Sequence, residues 1–212
     1  LQEFKDNFNI DKVTLGGPVF DLVKLGWVNN QHMKLKDLGE LTRLTIPFFV
    51  NEGYLTNENV SEKEFETLKK IVEIEREGAK TLKELAKNSK FFFVDEFSLP
   101  EVKEDMDKKE RKSVERLLNS LKDEVGLKSI KLFIEKLEKW EGNEFTAEQA
   151  KDLLHSLLDD LQEGPGKIFM PLRAVLTGAT KGADLYNILY VIGKERALKR
   201  IKDTVKKYNI AL

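Results

Sequence analysis

Few residues in this sequence could do chemistry, and its two histidines, His32 and His155, are the first to consider. Imidazole suits acid–base catalysis near neutral pH. His155, however, lies among leucines at helical spacing between residues 153 and 158, where a histidine is far more often structural than catalytic. His32 follows Gln31 in a predicted turn, which favours a surface position. The sequence therefore predicts no catalytic residue.

Metal and nucleotide sites also lack their usual residues. Cysteine is absent, which excludes disulfides and thiolate metal sites, and spacing identifies no carboxylates that would complete a site with the histidines. Glu66 precedes Lys69 and Lys70 at the spacing of a solvated helix face. The segment from Gly178 to Gly182 lacks the preceding strand of a dinucleotide site. We therefore predict no metal and no cofactor in this chain.

Basic residues concentrate toward the end of the chain, although the whole sequence has 36 Lys and Arg against 37 Asp and Glu. From Gly164 onward the acidic residues are only Asp184, Glu195 and Asp203. The basic residues of the same stretch are Lys167, Arg173, Lys181, Lys194, Arg196, Lys199, Arg200, Lys202, Lys206 and Lys207. On charge alone, this end could bind phosphates or could be a solvated basic helix.

Composition is typical of a highly charged helical protein, with 41% hydrophobic and 34% charged residues. No apolar run reaches the roughly 18 residues of a transmembrane helix, so we expect no membrane partner. The lack of cysteine fits a reducing compartment, and we expect a cytoplasmic protein. Because the sequence starts at Leu1 rather than Met and residues 1–11 do not resemble a signal peptide, we expect a part of a longer protein.

Helices separated by short polar breaks must position any functional side chain. Three helix starts match the capping box, in which two side chains satisfy backbone N–H groups reciprocally. The pairs are Ser61 with Glu64, Thr81 with Glu84, and Thr146 with Gln149. Asp184 is a candidate N-cap for a helix from Leu185 to Ile192. Gly178 should end a helix that starts near Ile168, after a loop at residues 164–166.

Apolar side chains recur at helical spacing within residues 117–125 and 130–137, which predicts amphipathic helices against a shared core. Residues 91–94 are the best strand candidate, but this short apolar run could equally be a buried helix end. Pro100 and the charged residues 101–111 interrupt the apolar pattern, so we place the main domain boundary near residue 97. The sequence predicts an all-α fold.

Two segments carry a family resemblance. The first is FDLVKLGWVN at residues 20–29, followed by His32 and Met33; the second is PLRAVLTG at residues 171–178, continued at 185–186 and by IGKERAL at 192–198. In this order and at this separation, they resemble the C-terminal half of bacterial glutamyl-tRNA synthetases, a class I family. The resemblance covers nearly the whole chain and is weakest between Glu101 and Lys139.

The resemblance implies the domain order and the function. Residues 1–37 would end a stem-contact domain, and residues 38–96 and 97–212 would be two successive helical-bundle domains that form an anticodon-binding helical cage. The catalytic domain, whose signature loop and ATP motif are missing here, would precede Leu1. The full enzyme, a monomer, would use ATP with magnesium to attach glutamate to tRNA-Glu.

The resemblance also implies which residues contact RNA. Arg173 matches the arginine of a Pro-Leu-Arg motif that contacts the first anticodon base, and Gly182, Ala183 and Leu185 match the segment that packs around that base. An arginine suits this role because its planar donor fork can both stack on an unpaired base and hydrogen-bond to it. From the residues alone, Arg173 could also be a helix-surface arginine whose stem covers apolar neighbours.

One position departs from the family pattern. Members selective for tRNA-Glu have an arginine shortly before a Thr-Leu-Lys-Glu segment, which here starts at Thr81, and the matching residue is Gly78. Because glycine has no side-chain donor for the third anticodon base, we expect that tRNA-Gln is also charged with glutamate. Arg76 and Lys80 are close enough in sequence to substitute for the missing arginine.

Two function classes therefore remain. In the RNA-binding interpretation, basic side chains of the last two helices, among them Lys194 and Arg196, steer the phosphates. In the alternative, the chain is a non-catalytic helical module that binds protein through its acidic middle, residues 101–138. Binding of tRNA that depends on the anticodon distinguishes the two.

Overall fold

The structure, a computed structural model, describes residues 2–12, 16–17 and 20–212, so that Leu1 lies outside the described part. This part forms α-helices and no strand, which confirms the predicted all-α class. None of these helices has the length and apolar character needed to cross a membrane. The helices are α1 (Gln2–Asn7), α2 (Leu22–Leu35), α3 (Leu38–Asn51), α4 (Glu62–Glu75), α5 (Leu82–Asn88), α6 (Lys90–Phe93), α7 (Lys108–Ser120), α8 (Glu124–Lys139), α9 (Ala147–Leu161), α10 (Pro165–Thr177) and α11 (Leu185–Lys207).

Side-chain hydrogen bonds cap the helix starts that the sequence predicted. At α4, the Ser61 hydroxyl accepts the N–H of Glu64, whose carboxylate accepts the N–H of Ser61 at 2.8 Å. At α9, Thr146 and Gln149 form the same reciprocal pair of hydrogen bonds. At α5, Thr81 accepts the N–H of Glu84 at 3.1 Å, but the Glu84 carboxylate accepts the N–H of Lys80 instead. The capping box is thus confirmed at α4 and α9, whereas α5 has only its first half.

The helix α10 starts earlier than predicted. It begins at Pro165 rather than near Ile168, because proline fits the first helical position, where its missing N–H is not needed. The loop predicted at residues 164–166 is therefore reduced to the cap residue Gly164. The other end is as predicted: Gly178 closes the helix in the left-handed region, with φ 64°.

The helix α11 contains a break at Gly193, where φ is 73°. Asn143, between α8 and α9, occupies the break: its carbonyl accepts the N–H of Lys194 and its side-chain oxygen accepts that of Glu195, both at 2.8 Å. A Cβ at Gly193 would lie 2.9 Å from the Asn143 carbonyl oxygen, so a larger residue would push the two apart. The sequence predicted a helix end at Ile192. In the structure the helix resumes after Gly193 and continues for more than three turns, to Lys207.

Several local predictions are wrong. Residues 91–94 form no strand, because Lys90–Phe93 is the single helical turn α6, which confirms the alternative of a helix end. His32 lies inside α2 rather than in a turn, and its side chain is exposed. His155 is also exposed, since the neighbouring leucines face the core from the other side of α9. The apolar stripe at residues 117–125 is divided between α7 and α8.

The helices pack in two groups that share one continuous core. In the first group, α3 packs against α4 and α5 and buries Phe49 and Ile71; in the second, α7, α8, α9 and α11 surround α10 and bury Phe133, Leu172 and Ile188. The long helix α11 also contacts α4 and α6 and so joins the groups. The domain boundaries near residues 37 and 97 remain predictions.

Candidate nucleic-acid interface

A groove of about 990 Å3 lies between the two groups of helices. One wall is the end of α4 with the turn that follows, residues 73–78, and the opposite wall is the loop before α11 with the first turns of α11. Three aromatic side chains, Phe91, Tyr186 and Tyr190, line it. Aromatic faces in such a cleft can stack on unpaired bases, because every base has a π-face.

Arg173 extends from α10 to the loop wall of this groove. If Gly182 carried a Cβ, that atom would lie 3.6 Å from Nη1 of Arg173. This Nη1 is buried and has no hydrogen-bond partner among the residues that the structure describes. Burial lowers the pKa of Arg173, and the nearby Asp184 opposes this shift. A buried N–H without an acceptor costs free energy, and Nε of Arg76 and Nε1 of Trp140 are in the same condition as Nη1 of Arg173.

The loop wall depends on a glycine. Gly182 has φ 145°, which L side chains rarely adopt, and a Cβ there would lie 3.3 Å from the ring of Phe91. Asp184 then starts α11 as predicted, but its carboxylate accepts the Tyr186 hydroxyl at 3.1 Å instead of a backbone N–H. The loop therefore keeps its backbone close to both the aromatic ring and the arginine.

The opposite wall contains Arg76 and Gly78. Arg76 caps the end of α4, and its Nε is buried without a partner within the described parts of the chain. Its carbonyl accepts a hydrogen bond from the Asn30 side chain at 2.9 Å, which attaches the wall to α2. Gly78 is exposed, and a Cβ there would meet no atom within 4 Å. This wall thus offers one guanidinium group and open space at Gly78, and it also contains Glu73, Glu75 and Glu77.

Comparison with known proteins identifies the family. A family model described as an anticodon binding domain matches residues 40–205. This chain belongs to the anticodon-binding domain family. The glutamate–tRNA ligase of Fusobacterium nucleatum is 93% identical over 212 residues, which is 100% of this chain and 42% of that protein. The glutamate–tRNA ligase of Bacillus subtilis is 30% identical over 202 residues, covering 95% of this chain and 38% of that protein.

Solved structures of similar proteins agree with this assignment. The crystal structure of a glutamate tRNA ligase from Elizabethkingia meningosepticum, in complex with its amino acid, has a TM-score of 0.73 and 26% identity. The comparison covers 97% of this chain and 36% of that one. A glutamate-tRNA synthetase from Elizabethkingia anophelis has a TM-score of 0.70. This anticodon-binding domain therefore spans about two fifths of the length of its relatives.

The residues that the resemblance assigned to RNA contact are mostly close together in this anticodon-binding domain. Four of them line the groove: Arg76, Gly78, Gly182 and Ala183. Arg173 adjoins it through Gly182. Leu185 is 5% exposed, so it supports the loop from the core and does not face a ligand. An RNA contact by any of these residues remains a prediction.

Lys80 does not line the groove. Its side chain runs along α2, where a Cβ at Gly26 would be 3.1 Å from its Cδ. Its carbonyl accepts a hydrogen bond from Asn29, and its N–H donates to Glu84 at 2.8 Å. These contacts hold Lys80 between α2 and α5.

Lys194 and Arg196 also lie outside the groove and make contacts within the protein. Nζ of Lys194 donates to the carbonyl of Trp140 at 2.6 Å, near the C-terminal end of α8. Nε of Arg196 donates to Asp95 at 2.6 Å, and its Nη2 donates to the Phe93 carbonyl at 3.0 Å. Both side chains have structural partners, and their role in steering phosphates stays a prediction.

Much of the basic charge at the end of the chain is likewise paired. Lys202 binds Glu138 at 2.8 Å, Lys167 binds Glu163 at 2.9 Å, and Lys207 donates to the Phe97 carbonyl at 3.0 Å. Of the basic residues after Gly164 that the sequence highlighted, Lys181 is the one that lines the groove. The charge gradient therefore overstates the basic surface that is available to a phosphate backbone.

Sequence reasoning missed the aromatic residues of the groove and one acid. Tyr186 and Tyr190 are four residues apart on α11, and this spacing could have revealed a shared face. Phe91 was hidden in the apolar run taken as a strand candidate. Glu75 gave no signal, because it lies in a run of acids and bases typical of a solvated helix, yet burial raises its pKa to about 7.

Proposed function

We propose that this chain is the anticodon-recognising part of a glutamate–tRNA ligase, and that its groove receives unpaired anticodon bases of tRNA-Glu. The family membership and the names of the relatives support this proposal. RNA loops are recognised through splayed bases that stack on aromatic rings and form hydrogen bonds through their edges. The groove offers three rings for stacking and Arg76 for hydrogen bonds, and Arg173 lies next to Gly182 of its loop wall.

The buried, unpartnered Nη1 of Arg173 is the observation that carries the proposal. Buried N–H groups in folded proteins nearly always have an acceptor. On α11, Arg196 and Arg200 both donate to Asp95. Arg173 differs from them, since its Nη1 has no acceptor in the described part of the chain. Arg173 lines a neighbouring cavity of about 330 Å3 rather than the groove itself, and an RNA group that reached this cavity past Gly182 would provide an acceptor.

The whole enzyme would activate glutamate with ATP and magnesium and transfer it to the terminal adenosine of tRNA. This chain would bind neither ATP nor the metal and would contribute recognition alone. Within residues 2–12, 16–17 and 20–212, no group of three or more acids and histidines could hold a metal ion. We further propose that the enzyme is a cytoplasmic monomer.

A gel-shift titration with tRNA-Glu and an anticodon-altered copy tests the proposal. We expect the altered copy to bind about tenfold more weakly or worse, because one good base contact contributes about 1–3 kcal/mol. Equal binding of both RNAs that disappears at moderate salt would indicate a general basic surface instead. Absence of RNA binding would favour the protein-interaction module, with residues 101–138 as its face, although this segment has ten acidic and ten basic residues and so no net acidic charge.

We also propose that tRNA-Gln is accepted. The two tRNAs differ at the third anticodon base, and Gly78 offers no side-chain donor and faces open space in the groove. Glutamylation of purified tRNA-Gln by the full enzyme is the expected outcome. Absence of glutamylation would refute it, and Arg76→Met would then show whether Arg76 makes the distinction.

A further inference from the structure

A furrow between α7 and α10 continues from the loop wall of the groove. It consists of three adjoining depressions of about 280, 330 and 490 Å3. The first depression shares Lys181 with the groove. The first and second share Ser113, and the second and third share Arg116. An RNA strand that leaves the groove past Lys181 would therefore meet an open path along α7.

The groove and the furrow differ in the sign of their charge. Four acids and two basic residues line the groove: Glu73, Glu75, Glu77 and Asp184 against Arg76 and Lys181. Five basic residues and three acids line the furrow: Lys109, Arg116, Lys167, Arg173 and Lys181 against Asp107, Glu110 and Asp123. A phosphate backbone binds where positive charge is concentrated. The groove is therefore suited to bases, and the furrow to the backbone that carries them.

Three of the basic side chains in the furrow are available to an external anion. Lys109, Arg116 and Lys181 are exposed, and none of them forms an ion pair within the part of the chain that the structure describes. Two of the furrow's acids, in contrast, are engaged as helix caps, Asp107 at the start of α7 and Asp123 at the start of α8. The positive charge of the furrow is thus less compensated than that of α11, much of which is paired.

The spacing of the cations on α7 follows the direction of the furrow. Lys109 and Arg116 are seven residues apart in this helix, which places them on one face about 10 Å apart along the axis. Ser113 lies between them on the same face and also lines the furrow. The row can consequently contact an extended backbone at more than one phosphate.

We propose that the RNA strand next to the anticodon bases leaves the groove past Lys181 and runs along this furrow, where Lys109 and Arg116 bind its phosphates. These contacts position the RNA without reading its sequence. The inference rests on the proposed function and adds phosphate contacts on α7 to those that the sequence predicted on α11. It concerns a helix within residues 101–139, where the family resemblance is weakest.

The test measures the affinity of the full enzyme for tRNA-Glu from about 50 to about 200 mM salt. The variants are Lys109→Met, Arg116→Met and the two combined. Each lost phosphate contact should lower the slope of log affinity against log salt by about 0.7, the double variant should lose about 1.4, and each single variant should bind about threefold more weakly or worse at low salt. Because both side chains are exposed, the melting temperature should stay that of the wild type.

Arg111→Met is the matched control. Arg111 is also exposed and lies on α7, but it faces away from the furrow, where it pairs with Glu115 at 3.0 Å. Its substitution removes the same charge as Arg116→Met and should keep the wild-type slope and affinity. If the furrow variants behave like Arg111→Met, the role of the furrow is refuted.

An anticodon-altered tRNA separates this failure from that of the proposed function. The furrow variants should weaken the binding of native and altered tRNA by the same factor, because phosphate contacts carry no sequence information. A variant that weakens only the native tRNA would contact a base, which overturns the phosphate assignment. If the wild type binds both RNAs equally, the proposed function fails and the inference fails with it. If anticodon dependence holds and the salt slope of the furrow variants is unchanged, only the inference about the furrow is refuted.

Discussion

Nε of Arg200, whose side chain is 1% exposed, donates to Oδ1 of Asp95 at 2.8 Å. The same oxygen accepts from Arg196 at 2.6 Å, and Arg200 also donates to the carbonyls of Leu176 and Val94. These contacts tie the segment after α6 to α10 and α11, and thus connect the two groups of helices that form the groove. Asp95 is the carboxylate that both arginines share at this junction.

Asp95→Ala should destabilise the protein by about 3 kcal/mol, because it leaves Arg200 buried without its counter-charge. The expected loss is at the low end for a buried pair, since the Asp95 side chain is 34% exposed. Chemical denaturation measures it, with Glu96→Ala, an exposed neighbouring acid, as the control. An equal, small effect of both variants would show that the junction does not depend on Asp95.

The contribution of Asp95 should disappear in acid. Burial alone would raise its pKa, but the hydrogen bonds from Arg200 and Arg196 outweigh burial and lower the pKa from its ordinary 3.8. A lowered folded pKa means that the stabilisation is present above the ordinary value and is lost as pH falls through the folded one. The stability difference between the wild type and Asp95→Ala should therefore shrink below pH 3.8. A difference that persists in stronger acid would contradict this prediction.

Glu75 should make stability depend on pH in the opposite direction. Its folded pKa is raised from 4.5 to about 7, so the folded state binds the proton more tightly, and stability falls as pH rises between these values. The shift corresponds to a loss of about 3 kcal/mol. Unfolding at pH 5 and pH 8 should show this loss in the wild type and in Glu73→Gln, but not in Glu75→Gln. An unchanged pH dependence in Glu75→Gln would exclude burial of the ionised acid as its cause.

Gly182→Ala should impair RNA binding as well as stability. Both Gly182, at φ 145°, and Gly142, at φ 81°, have backbones that alanine adopts only with strain of about 1–3 kcal/mol. Only at Gly182 would the new Cβ contact Phe91 and approach Arg173. We expect both variants to lower the melting temperature and Gly182→Ala alone to weaken tRNA binding. If both bind tRNA like the wild type, the loop does not need its close approach to Arg173.

Features that depend on neighbouring residues could be predicted from the sequence. The cap at Ser61 and the helix end at Gly178 depend on residues within one turn of the helix, so their types and spacing sufficed. The break at Gly193 could not be predicted, because it depends on Asn143, which is distant in the sequence. The helical environment of His32 was likewise missed, since α2 continues through Gln31 and His32 to Leu35.

The candidate site likewise has some features that could be predicted from the sequence and others that could not. The resemblance assigned Gly182 and Arg173 to the same site, and the structure places these two residues next to each other. Charge patterning could not show that Arg196 pairs with Asp95, 101 residues away. It also gave no sign of Glu75, because the acidity of a carboxyl group depends on how much water its neighbours exclude. Sequence thus identified types of residue near the groove, while burial and long-range partners became visible only in the fold.

The most direct test of the account is the affinity of Arg173→Met for tRNA-Glu. Methionine keeps an apolar stem in place of the arginine stem and removes only the guanidinium, whose Nη1 has no partner in the described part of the protein. Binding should weaken by about 1–3 kcal/mol, roughly five- to 150-fold, with no loss of thermal stability. Lys199→Met, which removes an exposed charge from α11, should bind within about twofold of the wild type. If Arg173→Met bound tRNA-Glu with wild-type affinity, this would contradict the claim that the guanidinium of Arg173 binds an anticodon base.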